Sequence, residues 1–168
     1  KVHEIDEHLI TSVAGIVSDA RVLVEKAQVL AQQNKMTYDS PIEPELLIKD
    51  ISNIKQQFSQ YGGARPFGVS LMIAGINNNT PELFVSDITG NYMGYYATAI
   101  GENDDTIKEK LRESYKKELT MKEGAKLALK IIKEVQEDKF NIKRFELVYV
   151  PTKTKKLEKI EGEKIEEF

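Results

Sequence analysis

The 168-residue chain contains no cysteine and no tryptophan, and it has only two histidines. The lack of cysteine excludes a disulfide scaffold, a thiol nucleophile and a thiolate metal site. It also fits a reducing compartment, so we expect a cytoplasmic location. With histidine this scarce, a catalytic site that depends on imidazole could draw on His3 or His8 alone.

An excess of basic charge and a long apolar run are also missing. The chain has 24 Lys and Arg against 27 Asp and Glu, a net charge of -3, so we expect no nucleic-acid or anionic-membrane partner. No apolar stretch approaches the roughly 20 residues of a membrane span. We do not expect the start, KVHEIDEHLITSVAG, to be a signal peptide, because acidic residues interrupt it. The length suggests a single domain over residues 1–168.

The first half of the chain predicts a hairpin followed by two helices. Two short strands are expected to meet in an acidic turn at Asp6 and Glu7. Ser18 or Asp19 is predicted to cap the first helix, and the second helix is predicted to begin near Pro44. The predicted buried stripes of the two helices are Leu23, Ala27, Leu30 and Ala31, and then Leu47, Ile51, Ile54 and Phe58.

The segment YGGARPFGVSLMIAG, residues 61–75, could be a catalytic turn, a phosphate-binding loop or a helix end. It lacks the Gly-Lys-Ser/Thr ending of a P-loop. Gly62 or Gly63 can end a helix in the left-handed conformation, and Pro66 prevents a restart. We therefore interpret it as a helix stop that leads into a central strand buried on both faces.

The second half predicts strands at LFVSD, YMGYYATAIG, RFELVYV and, more weakly, KKLEKI, with two helices before the last pair. Asn103, Asp104 or Asp105 is predicted to cap the third helix, whose stripe is Ile107, Leu111 and Tyr115. Thr120 and Glu123 match a capping box at the start of the fourth. Helix pairs between groups of strands favour a layered α/β (α+β) sandwich.

Motifs for chemistry are weak. His3 and His8 flank a turn with Glu4, Asp6 and Glu7, which could hold a metal but is more simply a solvated acidic turn. No G-x-S-x-G elbow accompanies them. Arg21, after Ser-Asp-Ala at a helix start, is either solvated or paired with carboxylates across an interface. From the residues alone we expect no catalytic site, metal or cofactor.

Four segments together resemble an α-type subunit of the proteasome core particle, archaeal or eukaryotic. They are GIVSDARVLVEKAQVLAQQNKMTYDSPI, QYGGARPFGVSLMIAGI, SDITGNYMGYYATAIG and LTMKEGAKLALKIIKEV. The resemblance implies a four-layer αββα sandwich of the N-terminal-nucleophile hydrolase class. It also implies that this domain is incomplete at its N-terminus, without the gating segment, first helix and first strands of the family.

The resemblance further implies a non-catalytic role in protein degradation. Such subunits form heptameric rings with other α subunits, stack on β subunits that carry N-terminal threonines, and dock the C-terminal tails of regulatory ATPases or other activators. The chain begins at Lys1 and shows no processed threonine before a strand, from which we expect that it is not itself a peptidase. A nuclear location would be added if the chain is eukaryotic.

Family roles are carried onto four residues. In the family, activator tails insert in pockets between neighbouring α subunits. Lys1 matches the lysine that pairs there with the tail carboxylate, Gly15 and Ile16 match the backbone wall of the same pocket, and Arg21 matches a residue of the α–α contact. Two alternatives remain open: a free-standing hydrolase of related fold that uses an N-terminal threonine, serine or cysteine, and an inert fragment without partners.

Overall fold

A computed structural model describes residues 1–168, and it divides the chain into two compact units. The first unit comprises residues 1–95 and 150–157, and the second comprises residues 96–149 and 158–168. The single domain over residues 1–168 stays a prediction.

The first unit contains a five-stranded antiparallel sheet with the strands in sequence order. The strands are β1 (Val2–Asp6), β2 (Leu9–Gly15), β3 (Val69–Asn77), β4 (Thr80–Ser86) and β5 (Tyr92–Gly94). Neighbours in the sheet are joined by a hairpin, by the two helices between β2 and β3, and by two further tight turns. The turn between β1 and β2 is formed by Glu7 and His8, one residue later than the predicted Asp6 and Glu7.

Two helices follow β2 in the chain: α1 (Val17–Tyr38) and α2 (Pro44–Gln60). The start of α2 at Pro44 was predicted, since proline loses nothing by lacking an N–H at that position. The N-cap of α1 is Ile16, and it makes no side-chain capping bond, so the prediction of Ser18 or Asp19 as the cap is wrong.

The core of the first unit lies where α1 and α2 pack against the sheet. Leu23, Ala27 and Ala31 of α1 are fully buried, as are Leu47 and Ile51 of α2, which confirms most of both stripes. Leu30 and Ile54 are partly buried against this core. Phe58, at the end of α2, is 42% exposed and its ring packs on Phe67, so its predicted burial is wrong.

Strand β3 is buried along one face, and its other face is buried only at Ile76. Val69, Leu71 and Ile73 are fully inaccessible and belong to the core, whereas the alternate residues Ser70 and Met72 are half-buried. The prediction of burial on both faces took a continuous apolar run as its signal. The apolar run is continuous because Met72 and Ala74, on the second face of the strand, are apolar residues that remain partly exposed to solvent.

The second unit contains two helices, α3 (Asp104–Ser114) and α4 (Met121–Gln136), and a two-stranded antiparallel sheet of β6 (Glu146–Tyr149) and β7 (Glu158–Glu161). Thr120 and Glu123 form the predicted capping box. Residue Asn103 does precede α3, but in the left-handed conformation and without a capping bond. The tail ends in a 3₁₀ helix, Gly162–Ile165. None of the helices has the length and apolar content needed to cross a membrane.

Candidate functional site

Asp19, in the first turn of α1, binds the joint that leads into β3. Its two carboxylate oxygens accept hydrogen bonds from Arg65 Nη2 at 2.6 Å and Nη1 at 2.7 Å. The backbone N–H of Gly68 donates to the same carboxylate at 2.8 Å. The carboxylate therefore satisfies donors 46 and 49 residues away instead of the free N–H groups of its own helix, which is why it is not a cap.

These contacts keep Asp19 ionised. Hydrogen bonds from Arg65, and then from the Gly68 N–H, lower the pKa of Asp19 from 3.8 to about 2. The fork geometry of arginine allows both oxygens to be held at once. The GGARPFG joint is thus a backbone segment tied to the start of α1.

The same joint approaches Gly15 very closely. Gly15 has a φ of +131°, and a Cβ at this position would clash with the carbonyl oxygen of Gly68 and lie 2.9 Å from the Cα of Val69. The N–H of Ile16 donates to that Gly68 carbonyl at 2.9 Å. The end of β2 and the start of β3 can meet in this way only because position 15 lacks a side chain.

Three of the four residues carried over from the resemblance line one cavity of about 440 Å³ in the first unit. They are Lys1, Gly15 and Arg21. Ile16 does not line it, because its side chain lies against Gly68 on the other side of the turn. The remaining lining residues are His3, Val13, Val17, Ala20, Val24 and Glu25. The structure therefore places Arg21, predicted at a subunit interface, beside the predicted tail-binding residues.

The cavity combines an apolar wall with cationic groups. Val13, Val17, Ala20 and Val24 supply aliphatic surface, and the side chains of Lys1 and Arg21 carry positive charge. One acidic residue, Glu25, stands one helical turn after Arg21. A ligand that suits such a cavity has apolar side chains and a carboxylate, since charge-assisted hydrogen bonds to carboxylates are about twice as strong as neutral ones.

The two histidines have different surroundings in the structure. His8 is buried, and its Nε2 lies 2.8 Å from the carbonyl oxygen of Ile42, while its Nδ1 is 3.8 Å from Asp6. It is therefore occupied in fastening the turn to the segment before α2. His3 is exposed and lines the cavity. The solvated acidic turn predicted around both histidines thus holds for His3 and Glu7, but not for His8 and Asp6, which are buried.

Sequence reasoning missed Lys55, which is fully buried in α2. Its ammonium donates to the carbonyl oxygens of Ser86 and Asp87 and to the hydroxyl of Ser86, at 3.0 to 3.2 Å. Desolvation lowers its pKa to about 8, although the charge of Asp87 opposes this. Its position four residues after the buried Ile51 was a signal, because the helical spacing puts both on one face. The Ser86–Lys55 contact has no exposed face through which a substrate could reach it.

The antiparallel sheet, the two helices between β2 and β3, and the second helix pair, α3 and α4, make this an α+β protein, consistent with a sandwich of the N-terminal-nucleophile hydrolase class. A family model described as proteasome subunit matches residues 1–150. The chain therefore belongs to the proteasome subunit family.

Individual relatives agree with this assignment. The chain is 41% identical over 167 residues to proteasome subunit alpha of Pyrobaculum aerophilum, covering 98% of this chain and 68% of that protein. Proteasome subunit alpha of Methanosarcina acetivorans is 38% identical over 168 residues, with 100% and 68% covered. The protein of the same name from Saccharolobus solfataricus is 40% identical over 156 residues, with 92% and 65% covered.

Proposed function

We propose that the chain functions as a non-catalytic α-ring subunit of the proteasome core particle. The observation that carries this proposal is the identity of about 40% to proteins named proteasome subunit alpha over nearly the whole chain. Membership of this family implies assembly with other proteasome subunits. We propose that the partners are α subunits within the ring and β subunits beneath it, in the cytoplasm and, for a eukaryotic chain, also in the nucleus.

The proposal includes the absence of peptidase activity in this chain. Lys55 and Ser86 are in hydrogen-bond contact, but both are buried and Lys55 has no accessible surface. A fluorogenic peptide incubated with the purified chain should therefore not be hydrolysed. Turnover that persists through further purification would favour the alternative, a free-standing threonine peptidase-like hydrolase.

The cavity lined by Lys1, Gly15 and Arg21 is the proposed docking site for the C-terminal tail of a regulatory ATPase or other activator. Its aliphatic wall suits apolar tail residues, and Lys1 suits the terminal carboxylate. A cavity of about 440 Å³ is within the range of pockets that bury small ligands, so two or three side chains of a peptide end can enter it.

The test uses a fluorescein-labelled octapeptide that ends in three leucines, once with a free carboxylate and once amidated. Fluorescence anisotropy should show tighter binding of the free acid to the chain. Lys1→Ala should weaken binding of the free acid by about tenfold, the loss of about 1.4 kcal/mol, and leave the amidated peptide unchanged.

Lys49→Ala is the matched control, since Lys49 is an exposed lysine on α2 that does not line the cavity. Its binding curve should superimpose on that of the unaltered chain. Equal binding of both peptides by all three proteins would mean that the cavity does not recognise a tail carboxylate.

A further inference from the structure

We propose that Asp19 and Arg65 form a clamp that positions the Gly15 wall and the Arg21 side of the tail cavity without contacting the ligand. This inference rests on the proposed docking of a tail in that cavity. Neither Asp19 nor Arg65 lines the cavity, whereas Gly15, Val17, Ala20 and Arg21, around Asp19 in the chain, all do. The clamp thus acts on the cavity through the backbone of residues 15–21.

The clamp is closed by four hydrogen bonds. Three converge on the Asp19 carboxylate, two from Arg65 and one from the N–H of Gly68. The fourth runs the other way, from the N–H of Ile16 to the carbonyl oxygen of Gly68. Gly68 is therefore held from both sides by one turn of chain, and the turn between β2 and α1 is fixed relative to β3.

Side-chain packing restricts the same turn. A Cβ on Gly68 would lie 2.6 Å from Cδ1 of Ile16, so the Ile16 side chain covers Gly68 closely. This contact turns Ile16 away from the cavity and leaves the backbone of Gly15 facing it. Of the predicted wall, Gly15 alone lines the cavity, and the clamp lies behind it.

Burial is unequal across the ion pair. The Asp19 side chain is 7% exposed, but that of Arg65 is 63% exposed. This pair differs from an exposed ion pair, because its carboxylate is buried and one guanidinium holds both oxygens. Removing Arg65 takes two hydrogen bonds from a buried carboxylate, and a two-pronged contact that fixes the orientation of that carboxylate is what a positioning role requires.

Arg65→Ala, Arg65→Lys and the unaltered chain should be compared in the tail-peptide assay, using the free-acid and the amidated octapeptide. Outer residues that orient a binding group change affinity by about 10–100-fold at metal sites, and we expect about tenfold weaker binding of the free acid in Arg65→Ala. Lysine keeps the charge but cannot hold both oxygens, so Arg65→Lys should restore part of the affinity.

Amide hydrogen exchange gives a readout specific to the clamp. The N–H groups of Gly68 and Ile16 should exchange faster in Arg65→Ala, while the amides of α4 keep their rates. Lys110→Ala is the control for loss of an exposed ion pair elsewhere, because Lys110 pairs with Glu134 at 2.9 Å in the second unit. That variant should bind the peptide as the unaltered chain does.

The outcomes separate the clamp from the proposed function. If Lys1→Ala abolishes the preference for the free-acid peptide and Arg65→Ala leaves it intact, the clamp is overturned and the docking proposal stands. Equal binding of both peptides by the unaltered chain would overturn the docking proposal and the clamp's role with it. If Arg65→Ala does not fold, Asp19→Asn provides the same comparison, since its amide oxygen can still accept from Gly68 while the charge is lost.

Discussion

The ammonium nitrogen of Lys55 lies 3.0 Å from the carbonyl oxygen of Asp87, in a position with no solvent exposure. It also contacts Ser86, so one side chain of α2 holds the end of β4 and the turn that follows it. Asp87 completes this turn by accepting from Thr89 and Asn91. The buried Lys55 side chain thus links α2 to the turn after β4 by hydrogen bonds within the first unit.

The first prediction concerns the pH dependence of stability that Lys55 produces. Because burial lowers its pKa from 10.5 to about 8, the unfolded chain binds more protons between these two values. The free energy of unfolding should therefore rise as the pH increases from about 8 to 10.5, by at most about 3 kcal/mol, and should then level off.

Urea unfolding at several pH values in this window, for the unaltered chain and for Lys55→Met, checks this. Methionine fills a similar volume without titrating, so the stability difference should shift in favour of the unaltered chain as the pH rises. Parallel pH profiles of the two proteins would show that Lys55 is not desolvated in the folded state.

The second prediction compares two glycines that differ in their surroundings. Gly15→Ala should be strongly destabilising, by about 1–3 kcal/mol or more, because it adds backbone strain and a clash with Gly68. Gly124→Ala should stabilise by about 0.5–1 kcal/mol, because Gly124 lies inside α4 with open space where the Cβ would go.

Thermal unfolding of both variants measures the two effects under identical conditions. The Gly124 variant should unfold at a higher temperature than the unaltered chain, and the Gly15 variant at a lower one. A neutral Gly15→Ala would mean that β2 and β3 do not approach as closely at this point as described.

Local signals predicted some contacts whose partners are close in sequence. The capping box of Thr120 and Glu123 is an example, since both members lie within one turn of α4. Asp19 shows the opposite case: its type and position are those of a cap, but its partners are Arg65 and Gly68. No local pattern distinguishes these two uses of a polar side chain at a helix start.

The predicted strand YMGYYATAIG failed for a related reason. Only Tyr92–Gly94 pairs with β4, because the pairing ends where Tyr95 donates to Leu83 and the chain leaves the sheet. Strand propensity describes the tyrosines but does not show where pairing ends: β4 continues over residues 80–83 without β5 beside it. At the candidate site, the resemblance supplied Lys1 and Gly15, and only the folded chain revealed that Arg21 shares their cavity.

The central claim, that this chain is a ring-forming proteasome subunit, is tested most directly by native mass spectrometry of the purified chain, alone and mixed with other subunits of a proteasome core particle. The account predicts assemblies of several copies, with a closed ring of seven 19.1 kDa chains at about 134 kDa, or incorporation into a larger particle with the added subunits. A species of 19.1 kDa in every sample, at all concentrations and with every added subunit, would contradict it.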